Sequence, residues 1–132
     1  MADILVNIDV DDLGRAVAFY TGAFDLRVGR RFGDGGVELV GGSSAIYLLA
    51  RAAGSQAGAG IRTYAPHWTP VHLDFVVDDV DAAVARAVGA GAAVDKAAET
   101  HAWGRIAILR DPFGHGLCIL AFRGRGYDEV AQ

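Results

Sequence analysis

At 132 residues the chain has the length of one domain, and a globular protein of that size buries roughly two-thirds of the surface its unfolded form exposes. A composition of 52% hydrophobic and 21% charged residues, with a net charge of -4 and a pI near 5.4, argues against a broad nucleic-acid surface or a polybasic membrane anchor. The single cysteine, Cys118, leaves no partner for an intrachain disulfide. No apolar run approaches bilayer-spanning length and no leader pattern opens the chain, so the expected compartment is the cytoplasm, with no membrane partner.

Residues 4–10 alternate, with Ile4, Val6, Ile8 and Val10 on one face and Leu5, Asn7 and Asp9 on the other. That period of two predicts a half-buried strand. Asp11 and Asp12 are capping residues, and Leu13, Ala16, Val17, Phe19, Tyr20 and Phe24 predict a helix over 12–23. Strands follow at 26–33, 37–40 and 45–50, separated by turns at Gly33–Gly36 and Gly41–Ser44. Residues 51–70 read as a connector, either a linker or, through Tyr64, His67 and Trp68, a loop folded over a ligand.

The order then repeats. Val71–Val77 alternates, with Leu73, Phe75 and Val77 on one face and His72, Asp74 and Val76 on the other. A helix is expected over 79–90, with Val80, Ala83, Val84, Ala87 and Val88 as its apolar stripe. Strands follow at 93–97, 104–109 and 116–122, with Asp111-Pro-Phe-Gly114 as a turn before the last. Residues 123–132 read as an exposed tail. The repeat is exact in offset: Val10, Asp11, Asp12, Leu13 and Val17 fall 67 residues before Val77, Asp78, Asp79, Val80 and Val84.

Two β-α-β-β-β halves, Val-Asp-Asp-Leu/Val opening each helix, Phe19-Tyr20 late in the first helix and Asp111-Pro-Phe-Gly114 before the last strand together resemble the vicinal oxygen chelate superfamily. Its members include glyoxalase I, bleomycin-resistance proteins and extradiol dioxygenases. The resemblance covers residues 4–122. It implies an α+β fold of one domain: two tandem βαβββ repeats (about 4–50 and 71–122) form an eight-stranded curved mixed sheet around a concave pocket, with the helices outside. It also implies a homodimer. The apolar strand faces are expected to pack under the helices and the mixed faces to line the pocket.

Metal-using members carry one ligand on each of four strands. Here those four positions fall on Leu5, Tyr47, His72 and Cys118, a degenerate set that predicts no ordinary metal site. His67, Glu99, His101 and His115 are the available substitutes if a divalent metal is held after all. His72 reads equally as a hydrogen-bonded pocket imidazole, and Cys118 as a small buried hydrophobe. His72 and Asp74 share a face, so Asp74 could orient the imidazole as a base.

Glu99, His101, Trp103 and Arg105 alternate. On an extended chain they would present an acid, an imidazole, an aromatic plate and a cation to one ligand, with His67 and Trp68 closing over it; the alternative is an exposed hairpin with a surface histidine. The expected ligand-binding set is therefore Asn7, Asp9, Tyr47, His67, Trp68, His72, Asp74, Glu99, Trp103, Arg105, Cys118 and Phe122. His72 and His101 are the candidate catalytic groups. Three functions follow: metal-independent binding of a small molecule without a cofactor, an enzyme of the glyoxalase or dioxygenase type, or a non-catalytic partner domain.

Overall fold

A computed structural model describes residues 1–132 as two compact units, Met1–Ala65 and Pro66–Gln132. The first holds β1 (Val6–Val10), α1 (Leu13–Phe24), β2 (Arg27–Phe32), β3 (Gly36–Val40) and β4 (Ile46–Ala50). Their sheet has the order β1-β4-β3-β2, with β1 parallel to β4 and the other neighbours antiparallel. The second unit repeats this plan. It holds β7 (Leu73–Val76), α2 (Val80–Ala90), β8 (Ala93–His101), β9 (Gly104–Arg110) and β10 (Gly116–Phe122), in the order β7-β10-β9-β8. The fold class is α+β, with two βαβββ halves as the repeat predicts.

The shared Val-Asp-Asp opening has one physical job in both halves. Asp12 Oδ1 accepts from the Arg15 amide at 3.0 Å, and Asp79 Oδ1 accepts from the Ala82 amide at 3.1 Å. Each fills an N-cap and contributes about 1 kcal/mol to its helix. Gly91 ends α2 at φ 125, a conformation that side chains rarely adopt. In the first unit Ala16, Phe19, Tyr20 and Ala23 of α1 are buried, together with Val37, Leu39, Ile46 and Leu48 of the sheet. In the second, Val80 and Ala87 of α2 are buried, together with Ala107, Leu109, Leu117 and Ile119.

Five expectations need correction. Ile4 lies outside β1 and is exposed, so β1 begins at Val6. Val88 is also exposed, which narrows the apolar stripe of α2. The connector is not featureless: β5 (Gln56–Ala57) and β6 (Gly60–Ile61) form a small hairpin. Arg62 after it reaches Asp9 Oδ2 at 2.8 Å and holds Ser55 and Gln56, fixing the hairpin against β1. β8 runs to His101 rather than 97. The tail contains a 3-10 turn at Gly126–Glu129 that sets Tyr127 against Trp103 and Phe122.

Candidate functional site

The predicted site residues do not form one group. In the first unit, register places Asn7, Tyr47 and Glu38 side by side across β1, β4 and β3. Glu38 is only 8% exposed. Arg30 grips it with Nε on Oε1 at 3.1 Å and Nη2 on Oε2 at 2.6 Å, while the Arg30 amide donates to Oε1 at 3.0 Å. The Tyr47 hydroxyl donates to Glu38 Oε2 at 3.1 Å. These donors hold the Glu38 carboxyl at about 2, well below the usual carboxylate range. Tyr47 thus belongs to a charged network that sequence reading missed. The signal was a lone Glu between Val37 and Leu39, on the face opposite the core.

The depressed Glu38 value has a definite sign. Its stabilisation is fully present above an ordinary carboxyl value near 4.5 and is lost as pH falls towards about 2. Glu38→Gln is expected to lower stability at neutral pH and to flatten the loss of stability across that acid window. Denaturant midpoints measured from pH 7 to pH 2 check this.

In the second unit His72, Asp74 and Cys118 come together, with their donor atoms all within 4.8 Å of one another. His72 Nε2 stands 3.2 Å from Asp74 Oδ1, so the dyad anticipated from their shared face exists. Cys118 is paired in register with Asp74 and buried. Burial, followed by the Asp74 charge and hydrogen bond, pushes its thiol up to about 12. It is therefore a protonated thiol at neutral pH rather than a nucleophile.

Trp68 lies against His72, with ring centroids 4.4 Å apart, and directly over Gly116. A Cβ at Gly116 would meet Trp68 Cε3 at 2.1 Å, so only glycine seats the indole there. Next to it, the His67 amide donates to the Gly114 carbonyl at 3.0 Å, and His67 Nε2 is 3.2 Å from His115 Nδ1. His67 and Trp68 do fold over the protein, but at the β7 and β10 end.

The expected row of Glu99, His101, Trp103 and Arg105 is broken. The chain turns at Ala102-Trp103, and His101 pairs with Gly104 across a tight hairpin. Arg105 therefore falls opposite Thr100, on the face that carries α2. It bonds Thr100 Oγ1 and Asp81 Oδ1, both at 2.9 Å, and is not available to stabilise an anion beside His101. Glu99 instead sits 3.6 Å from Lys96 and 3.7 Å from His101. His101, Trp103, Phe122 and Tyr127 form an aromatic cluster at this end. β7 and β8 are opposite edges of the sheet, about 14 Å apart at the usual strand spacing. His72 and His101 consequently cannot act on one reacting atom.

The metal-using superfamily implies a divalent ion, and the side chains argue against its usual ligand set here. Leu5 offers no donor atom, the Tyr47 hydroxyl is engaged by Glu38, and the buried Cys118 thiol would have to give up its proton to ligate. Of the four positions only His72 is a ready ligand.

A family model described as a glyoxalase-like domain matches residues 5–120. The chain belongs to this glyoxalase-like domain family, within the vicinal oxygen chelate superfamily. An uncharacterized protein from Mycobacterium bovis is 36% identical over 115 residues, spanning 83% of this chain and 76% of the relative. Among solved structures, a glyoxalase/bleomycin resistance protein/dioxygenase family enzyme from Burkholderia phytofirmans is similar, with TM-score 0.69 and 24% identity, over 90% of this chain and 97% of that one. Lactoylglutathione lyase from Agrobacterium tumefaciens is similar at TM-score 0.65 and 22% identity, over 91% and 92%. At these identities the structural likeness concerns the fold alone. No helix of this family member is long and apolar enough to cross a membrane.

Proposed function

We propose that this glyoxalase-like protein binds a small organic molecule without the superfamily's usual metal, on the second unit's sheet around Trp68, His72 and Asp74. The observation that carries the reading is the fate of the metal positions. Tyr47 is hydrogen-bonded into the Arg30–Glu38 network, Leu5 has no donor, and Cys118 is a buried thiol in place of an oxygen or nitrogen ligand. An aromatic ring seated beside a hydrogen-bonding dyad is instead the composition of a site for an organic ligand. A homodimer belongs to the same reading and rests on the resemblance.

A second reading has its own support. His72, Asp74 and Cys118 offer nitrogen, oxygen and sulfur donors within 4.8 Å, a set compatible with a zinc-type ion if the thiol surrenders its proton. Elemental analysis of protein purified without chelator or affinity tag separates the two. Substoichiometric metal, with thermal-shift hits from planar compounds that persist in EDTA, is the expected result. One transition metal per chain, lost in Cys118→Ser, would replace metal-free binding with a rebuilt metal site and reopen lyase and dioxygenase chemistry.

A further inference from the structure

The second unit carries nine carboxylates against six Lys and Arg, and its ion pairs are unevenly distributed. On the sheet strands, Asp95 is gripped by Arg110 Nε at 2.8 and 3.0 Å, and Glu99 has Lys96 at 3.6 Å. Arg105, on the helix face, is engaged by Asp81. Asp74 is the one strand carboxylate of this sheet with no Arg or Lys within ion-pair distance. Its neighbours are the Cys118 thiol and His72, which is charged only if protonated. Asp74 is also accessible, with 38% of its side chain exposed.

An independent feature stands beside it. Trp68 is 48% exposed, yet one part of its ring is fixed over Gly116 and against the His72 ring. The sheet thus presents an indole plate, an imidazole and an uncompensated carboxylate in sequence. Indole faces attract cations, most strongly planar delocalised ones, and a carboxylate accepts the paired N–H groups of an amidinium or guanidinium in a bidentate contact.

We propose that Trp68, His72 and Asp74 form a subsite for a planar organic cation, the ligand ring stacking on Trp68 and its amidinium-like group bonding Asp74. The proposal rests on the small-molecule reading above and adds the ligand's charge class. It also assigns Gly116 as the residue that positions the plate.

The test uses three soluble probes of nearly equal shape: benzamidinium, benzamide and benzoate. Each is titrated calorimetrically into the full chain at pH 8 with EDTA. Benzamidinium is expected to bind about tenfold more tightly than benzamide, the scale of one charge-assisted hydrogen bond, and benzoate not at all. Asp74→Asn, which keeps the side chain's shape, is expected to reduce benzamidinium to the level of benzamide. Gly116→Val, which displaces the ring, is expected to weaken both. Equal binding of benzamidinium and benzamide, a charge preference that survives Asp74→Asn, or no binding of benzamidinium would each overturn the cation subsite. Benzamide binding that is sensitive to Gly116→Val but indifferent to charge would overturn it while leaving the small-molecule reading standing.

Discussion

Asp111→Ala is expected to destabilise the protein by about 3 kcal/mol, because it strips the acceptor from two backbone amides at once. Asp111 is 4% exposed, and its Oδ1 accepts from the Phe113 amide at 2.8 Å and the His115 amide at 2.9 Å. The same turn is closed by the Asp111 amide on the His115 carbonyl at 2.9 Å, and Gly114 occupies φ 82. Phe113, carried on this turn, is almost fully buried. The turn also sets the start of β10, where Gly116 receives Trp68 and His115 meets His67. Loss of the carboxylate therefore propagates from a turn to the proposed binding surface. Asp111→Asn keeps one acceptor oxygen and is expected to lose about 1 kcal/mol. Urea unfolding of the three proteins checks the order. An alanine variant within about 0.5 kcal/mol of the parent, about a sixth of the expected loss, would show that these amides find other partners.

The repeat was legible because it is written in chemistry that acts locally. Asp12 and Asp79 cap their own helices, so the 67-residue spacing translates directly into α1 and α2. Alternation at Leu73, Asp74, Phe75 and Val76 is likewise a property of one strand, and it placed His72 beside Asp74. What was lost lies in pairings between distant segments. Ala102-Trp103 is not a turn signature of the Asn-Gly or Asp-Gly kind, so residues 99–105 could be read as an extended run or as an exposed hairpin, and they are the tip of a hairpin. In the hairpin Arg105 pairs with Thr100 and lies on the opposite face from the one an extended run gives it. Glu38 was hidden because its significance comes from Arg30 and Tyr47 on neighbouring strands. Gly116 looked like an ordinary strand glycine, and only the position of Trp68 shows what its missing side chain permits.

The two halves therefore share a backbone plan but use their open faces differently. In the first unit the positions facing away from α1 are closed by strong pairs: Arg30 with Glu38 and Tyr47, and Arg62 with Asp9. Charges already matched at these distances give an incoming ligand little electrostatic gain, because it would displace a partner as good as itself. In the second unit Asp74 keeps only an imidazole and a thiol. Asp9 and Tyr47 are thus engaged by partners within the first unit, while Asp74 has no Arg or Lys partner.

Gly104→Ala is expected to cost about 2–3 kcal/mol, near the upper end of overpacking effects. A Cβ there would lie 2.2 Å from the Ala121 carbonyl oxygen and 3.2 Å from both the Ala121 carbonyl carbon and Phe122 Cα. These are backbone atoms of the paired strand, opposite Gly104 in the β9–β10 register, and they cannot rotate away. The strands must part, which strains the Arg123 amide's bond to the Trp103 carbonyl at 3.0 Å. Phe122 and Tyr127, with ring centroids 6.3 and 5.2 Å from that of Trp103, would lose their shared packing. Gly116→Val is the instructive contrast, since the atoms it strikes belong to the Trp68 ring, which can swing into solvent. Its stability loss is expected to be the smaller of the two, with the larger change in ligand binding. Equilibrium unfolding followed by tryptophan emission tests both substitutions. A Gly104→Ala protein as stable as the parent would mean that β9 and β10 separate at this end without cost, and the aromatic cluster would then be an ornament of the tail rather than part of the sheet's closure.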